Sequence, residues 1–533
     1  MPQLLRRQAL GLMLGGAAGA LAKPGRGWAR QDAAQVAGTV DSYFERVMQA
    51  FPDQPGLAVA VVEDGTVTLS KGYGVLRAGD AAPVTDRSLF AIASNSKAYT
   101  AALLAMLVEE GRLEWDAPVV RYMPDFAMSD PLVAAQLSVR DLLCHRSGLS
   151  LGAGDLMLFP ETTHTREELV RGLRHLPLSG PFRGAYAYDN VLYVVAGELI
   201  RTVSGQTWEE LVQARILGPL GMTDSVAGFS RIRAHAEVAW PHARLGPPVR
   251  GAGPLTPLSD HRRIDVAAAA GGLYCSVRDH AKWVATQLGL GQIPGGPRLW
   301  SEDSARAMWR PEILVRTQAD PSPERPDRSP ISTYALGWFV ETWRGRKLVW
   351  HSGGIDGFIT LTLMIPGLNR GLVVLTNAEE TGVILASRMG GLDALQPRDD
   401  FDWIAYGQRV QAAQAEELAN AMAVIDAPAN AAPASLPLEA YVGVYRDAWY
   451  GTVTVSRWQG GLWVRFDRTA AFEGPLEPFD ADGFRTRWSE PGLEDALITF
   501  EISEGRVTGA RARALSPNAD FSYDFQDLRL VRQ

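Results

Sequence analysis

The chain has 533 residues, 46% of them hydrophobic and 21% charged, with 52 basic against 60 acidic side chains. That length accommodates more than one domain with a full core, and the composition excludes a disordered, collagen-like or disulfide-scaffold protein. A formal net charge of −8 gives no general attraction to phosphate backbones or anionic membranes, so no nucleic-acid partner is expected.

At the N-terminus, Arg6-Arg7 precedes an apolar run from Ala9 to Ala22. The run is too short to span a bilayer but suits a signal segment, with Ala20-Leu21-Ala22 or Gly27-Trp28-Ala29 as cleavage candidates. The arginine pair resembles a twin-arginine export signal, which predicts a signal over 1–29 and a periplasmic or secreted protein. No later stretch reaches about 18 uninterrupted apolar residues, so no stable membrane insertion is expected after signal removal.

Gly56 to Val62 is apolar and β-branched, Glu63-Asp64-Gly65 is a turn signal, and Thr66 to Ser70 alternates: a hairpin with one well-buried strand. Ser94 to Gly111 reads as a helix, with Ala98, Ala101, Leu104 and Leu107 at helical spacing. A second helix is predicted to begin at Ser138, its N-cap, with Gly148 past its end, and Tyr188 to Val203 is a third. Ser276-Val-Arg-Asp279 opens a fourth, with Asp279 in its cap. Gln318 to Pro330 is a Pro-rich charged loop. Strands follow at Tyr334–Glu341, Lys347–His351, Ile359–Ile365 and Gly371–Thr376, then a helix over 402–425. Ala427 to Pro437 is a linker. Beyond it, short alternating segments broken by Gly/Asp turns predict a small antiparallel barrel or sandwich. Its aromatics, Tyr441, Tyr445, Trp449, Tyr450, Trp458, Trp463 and Trp488, read as core and edge residues.

Three motifs bear on chemistry. Ser94-Asn95-Ser96-Lys97 puts a hydroxyl and an ammonium one helical turn apart at a helix start, where the helix field stabilises an oxyanion. The chain has only five lysines, so such a pair arises by chance about a quarter of a time per chain. Tyr188-Asp189-Asn190 is the only Tyr-x-Asn, and His351-Ser352-Gly353 supplies a His-x-Gly after a strand. Together and in this order they are expected by chance only a few per cent of the time. No zinc-protease or P-loop motif occurs, the histidines have no metal spacing, and no cofactor or metal is expected. Cys144 and Cys275 read as buried free thiols, with a disulfide open if the protein is exported.

The set resembles the serine β-lactamase and penicillin-binding-protein superfamily. It is nearest the class C β-lactamase-like branch, which includes carboxylesterases, D-aminopeptidases and 6-aminohexanoate-dimer hydrolases. Leu142-Leu-Cys-His-Arg-Ser-Gly-Leu149, Pro219-Leu-Gly-Met222 and Gly271-Gly-Leu-Tyr-Cys-Ser276 with Asp279 extend the likeness over about Val40 to Asn377. The resemblance implies an α+β fold, an antiparallel sheet flanked by helices plus an all-helical region. It implies Ser94 as the acylated nucleophile, Lys97 beside it, and Tyr188 as general base or proton shuttle with a pKa lowered by the cation. Asn190 would orient Lys97 or bind substrate amide, and His351 would contact Tyr188 or substrate. Gly353 would bind substrate, with the Ser94 and Gly354 backbone N–H groups as oxyanion hole. His145 reads as structural.

The departure from β-lactamases is His351, which stands where they carry lysine and removes a fixed charge near neutral pH. The expected activity is therefore hydrolysis of a small-molecule ester, peptide or amide by an exported serine hydrolase. A β-lactamase or D,D-peptidase and a non-catalytic sensor keeping the fold are the rival readings. The expected organisation is a signal over 1–29, a hydrolase domain over 38–425, a linker over 426–437 and a barrel over 438–533. Tyr441-Val-Gly-Val-Tyr445 and Tyr450-Gly-Thr-Val-Thr-Val455 resemble the lipocalin-like domain of some branch members. There such a domain is associated with assembly or with access to the site, so a homo-oligomer through the barrel is one expectation.

Overall fold

The computed structural model describes residues 33–234, 236–246, 250–261, 263–318, 322, 326–396, 401–425 and 433–533. The expected signal over 1–29 and residues 426–432 of the expected linker lie outside the described residues. An eight-stranded antiparallel sheet forms the centre. Its order is Thr66–Gly74, Gly56–Glu63, Arg370–Thr376, Phe358–Ile365, Arg346–Ile355, Phe339–Trp343, Ile331–Tyr334 and Ile313–Thr317. The strand Gly56–Glu63 is buried along its whole length because both sheet faces are covered. Leu57, Val59 and Val61 face one core with Phe44 and Val47 of the helix Ala33–Ala50 and Met389 of the helix Thr381–Leu395. Ala58, Ala60 and Val62 face the other, with Val284 of the helix Val277–Leu288. Alternating side chains thus serve two cores, and the apolar run has no polar face.

The region expected between Tyr334 and Glu341 as one strand is two, joined at a turn containing Gly337 at φ +76°. The expected helix over Ser138–Gly148 is absent: the segment is a series of turns. Ser138 does make cap-like bonds to Asp141. But Asp141 is bound by Arg146 and Arg183, Glu312 is bound by Arg140 and Arg146, and His145 sits at φ +58°. These ion pairs and the left-handed residue replace the backbone ladder a helix needs. Ser276 caps its helix as expected, accepting from the Asp279 N–H, and Cys144 and Cys275 are buried and free.

The tail is a closed barrel of eight antiparallel strands in simple chain order, from Gly443–Asp447 to Leu530–Arg532, with the last strand paired to the first. Tyr441, Tyr445, Tyr450, Phe484 and Phe500 fill it. Trp458 is exposed and packs against Trp463 on the outside, so of the seven aromatics named from the sequence only this pair stands off the core. The barrel core is continuous with the core on the helical side of the sheet.

Candidate active site

The helix carrying Lys97 runs Ser96–Glu109 and is buried along most of its length. Ser94 lies just before it, in a single 3-10 turn over Ala93–Asn95, so the expected helix start is a tighter turn. Ala93 sits at φ +45°, a conformation alanine adopts at a cost on the order of 1 kcal/mol, and one that turns Ser94 into the cavity. Asn95 anchors this turn. With its amide oriented to suit its neighbours, it donates to Thr362 and to the His351 carbonyl and accepts from Thr360 and the Gly353 N–H. The nucleophile turn is thereby fastened to the strands Arg346–Ile355 and Phe358–Ile365.

Lys97 is fully buried, and its Nζ donates to Ser94 Oγ at 3.1 Å, Asn190 Oδ1 at 2.7 Å and the Ala270 carbonyl at 3.0 Å. It also lies 4.8 Å from the Tyr188 ring centroid and 5.0 Å from that of Tyr193. Burial pushes its pKa down to about 7, against the pull of Asp155 and Asp189. A neutral amine has two N–H groups and a lone pair. It can keep Asn190 and Ala270 as acceptors and turn the lone pair to the Ser94 hydroxyl.

The Tyr188 pKa is raised, not lowered as the resemblance implied, although the Ser94 side chain pulls it down. Desolvation is the main cause, and the carboxylates of Asp155, Asp189 and Asp520 add to it. The Lys97 ammonium lies against the ring face and does not reverse this. Asn190 is the residue preceding the helix Val191–Ser204, and its Nδ2 donates to Asp155 Oδ2 at 2.8 Å. It therefore orients Lys97.

His351 lines the cavity, but both its ring nitrogens are engaged. Nδ1 donates to the Ser352 carbonyl, and Nε2 accepts from the Tyr334 hydroxyl at 2.9 Å. Its partner is Tyr334 rather than Tyr188, whose ring centroid is 6.4 Å away. Burial holds its pKa down to about 3, so the imidazole is neutral. Gly353 does not reach the cavity: a Cβ there would stand 2.1 Å from the Ile92 carbonyl oxygen. Ser352 and Gly354 line the cavity, and a Cβ on Gly354 would meet nothing within 4 Å. The glycine at 353 is thus required for close packing against the nucleophile turn, and the place expected for it belongs to its neighbours. His145, read as structural, packs beneath Tyr188 with ring centroids 4.1 Å apart, and its Nδ1 accepts the Asp189 N–H.

The cavity has a volume of about 1320 Å³ and is also lined by Asp520, Phe521 and Ser522 of the barrel domain. Ser94, Lys97, Tyr188 and Asn190 converge as the motifs required. Asn95, Asp155 and Ser522 were missed. Asn95 lay inside the motif and could have been found there, while the other two carry no local signal.

The family model described as Beta-lactamase matches residues 44–390, and one described as a domain of unknown function, DUF3471, matches residues 427–532. Unguisins hydrolase ungD' of Aspergillus campestris is 30% identical over 497 residues, 87% of this chain and 87% of its own length. The octameric penicillin-binding protein homologue of Pyrococcus abyssi superposes with a TM-score of 0.58 at 22% identity, covering 93% of this chain and 99% of its own. The D-amino acid amidase of Ochrobactrum anthropi, complexed with L-phenylalanine amide, gives 0.53 at 23% identity over 68% of this chain and 96% of its own.

Proposed function

The chain belongs to the β-lactamase family of serine hydrolases, and from that premise we propose that it cleaves ester or peptide-like amide bonds through an acyl-enzyme on Ser94. The contact between Ser94 Oγ and a Lys97 amine whose pKa is about 7 carries this reading. In the first half-reaction neutral Lys97 takes the Ser94 proton as Oγ bonds to the substrate carbonyl carbon. The backbone N–H groups of Ser94 and Gly354 receive the oxyanion. The tetrahedral carbon then expels the amine or alcohol, which takes up a proton through Tyr188. Tyr188 stays protonated at rest and is replenished from Lys97. Water adds to the acyl-enzyme by the same steps in reverse and frees the acid.

A peptide-like amide fits best within this class. The cavity exceeds the roughly 300–1,000 Å³ usual for small-molecule sites. One structural neighbour is named an amidase and the matched curated relative a hydrolase. The β-lactam reading is not favoured, because neutral His351 offers no fixed cation for a substrate carboxylate. The reading includes export to the periplasm or beyond, which rests on Arg6-Arg7 and the apolar run after it.

Replacing Ser94 by alanine tests the mechanism. The variant is expected to melt as the wild type does and to hydrolyse p-nitrophenyl acetate at least about 10³-fold more slowly. Retention of wild-type turnover would remove the acyl-enzyme.

A further inference from the structure

Between the strands Arg506–Ala514 and Leu530–Arg532 the chain leaves the barrel wall and lies on the turn that carries Asp155. The seating is close. Ser150 Oγ donates to Asp527 at 2.9 Å, and a Cβ on Gly152, at φ +72°, would collide with the Phe521 carbonyl oxygen at 2.4 Å. The Gly154 and Leu156 N–H groups, on either side of Asp155, donate to the two oxygens of buried Asp524 at 2.7 and 2.9 Å. Ser522 Oγ donates to Asp155 Oδ2 at 2.9 Å, and the Phe521 ring packs edge-on to Tyr188 with centroids 5.6 Å apart.

Asp155 is fully buried and joins this segment to the nucleophile: Ser522 to Asp155, Asp155 to Asn190, Asn190 to Lys97, Lys97 to Ser94. Burial raises the Asp155 pKa to about 8, while Asn190, Ser522 and Lys97 pull it down; once ionised, the carboxylate only accepts hydrogen bonds. It therefore compels Asn190 to turn Nδ2 toward it and Oδ1 toward Lys97. Without it the amide could turn over and aim a donor at the amine. Asp155 Oδ1 has no hydrogen-bond partner, so the barrel hydroxyl and Asn190 share the other oxygen.

We propose that Asp155, held in place by Ser522 and Asp524 of the barrel, is a positioning residue for Lys97, so that the two domains jointly build the base. It rests on the reading of Lys97 as base. The charged and titratable groups around the pair are Asp189, Asp520 and Asp524, with His145 and His351 held neutral by burial. When ionised, Asp155 raises the Lys97 pKa, and Asn190, Ser522 and Lys97 favour that charged form against the burial that opposes it.

The test uses the full chain and p-nitrophenyl acetate, with kcat/KM followed against pH. Asp155→Asn keeps an acceptor for Asn190 but removes the charge. It should lower kcat about tenfold and move the acidic limb about one unit down in pH, because Lys97 loses a stabilising anion. Ser522→Ala should shift the limb the same way by less, and Ser522→Thr, which restores the hydroxyl, should return it. An acidic limb unmoved in folded Asp155→Asn overturns the proposal, and if that variant does not fold, the Ser522 pair decides in the same way. Loss of activity in Ser94→Ala with unmoved limbs sinks this inference alone. Wild-type turnover by Ser94→Ala sinks the mechanism beneath it.

Discussion

The two walls of the cavity are built on opposite principles. The helical wall carries Ser94, Lys97 and Asn190, with Asp155 behind them, and its charges are buried, paired and shifted in pKa. The strand wall carries His351, Ser352 and Gly354 and holds no charge at all in these three: its imidazole is neutral and tied to Tyr334. In the proposed mechanism proton transfer is therefore concentrated on the helical side, while these three strand residues offer backbone and shape. A charge buried on both walls would have cost desolvation twice and pushed Lys97 lower still. The contrast is consistent with a mechanism in which the strand histidine stays outside the proton chemistry.

The largest test of this division is Lys97→Met. Hydrolysis of p-nitrophenyl acetate should fall by about 10³-fold or more, while the melting temperature holds or rises, since a buried amine has been replaced by a similar apolar chain. A variant with a tenth of wild-type activity would mean that the base sits elsewhere. Next comes pH. Lys97 acts only when neutral, and its pKa is about 7. So kcat/KM should fall about tenfold per unit below pH 7 and level off above it. His351, neutral above about pH 3, adds no step in this range. A profile flat from pH 5 to 8 would break the assignment. The smallest effect separates neighbours on the strand wall. Gly353→Ala should destabilise by about 1–3 kcal/mol, because the methyl meets the Ile92 carbonyl, whereas Gly354→Ala should melt within about 0.5 kcal/mol of wild type and instead lower activity. Equal losses of stability in the two would show that they do not face opposite ways.

Much of the molecule was legible because its signals are local. The apolar run at Gly56–Val62 and the Ser276 cap are properties of a few consecutive residues, and so are the short tail strands. The helix misread at Ser138–Gly148 fails for the converse reason: its cap signal is genuine, but Arg183 and Glu312, distant in the chain, decide the backbone. Gly353 was misread because spacing cannot say which face of a strand meets the neighbouring turn. The direction of the Tyr188 shift was misread because burial, which no motif encodes, outweighs the pairing of charges.

By itself the sequence determined the family, the two-part architecture and the serine, lysine, tyrosine and asparagine that meet at the cavity, since each rests on residue types at short fixed spacings. Only the tertiary structure decided how far burial lowers the Lys97 pKa, that His351 is neutral and bound to Tyr334, and that Ser522 of the barrel reaches Asp155 across 367 positions of chain. Those outcomes depend on desolvation and on contacts between distant segments, and both exist only once the chain has closed on itself.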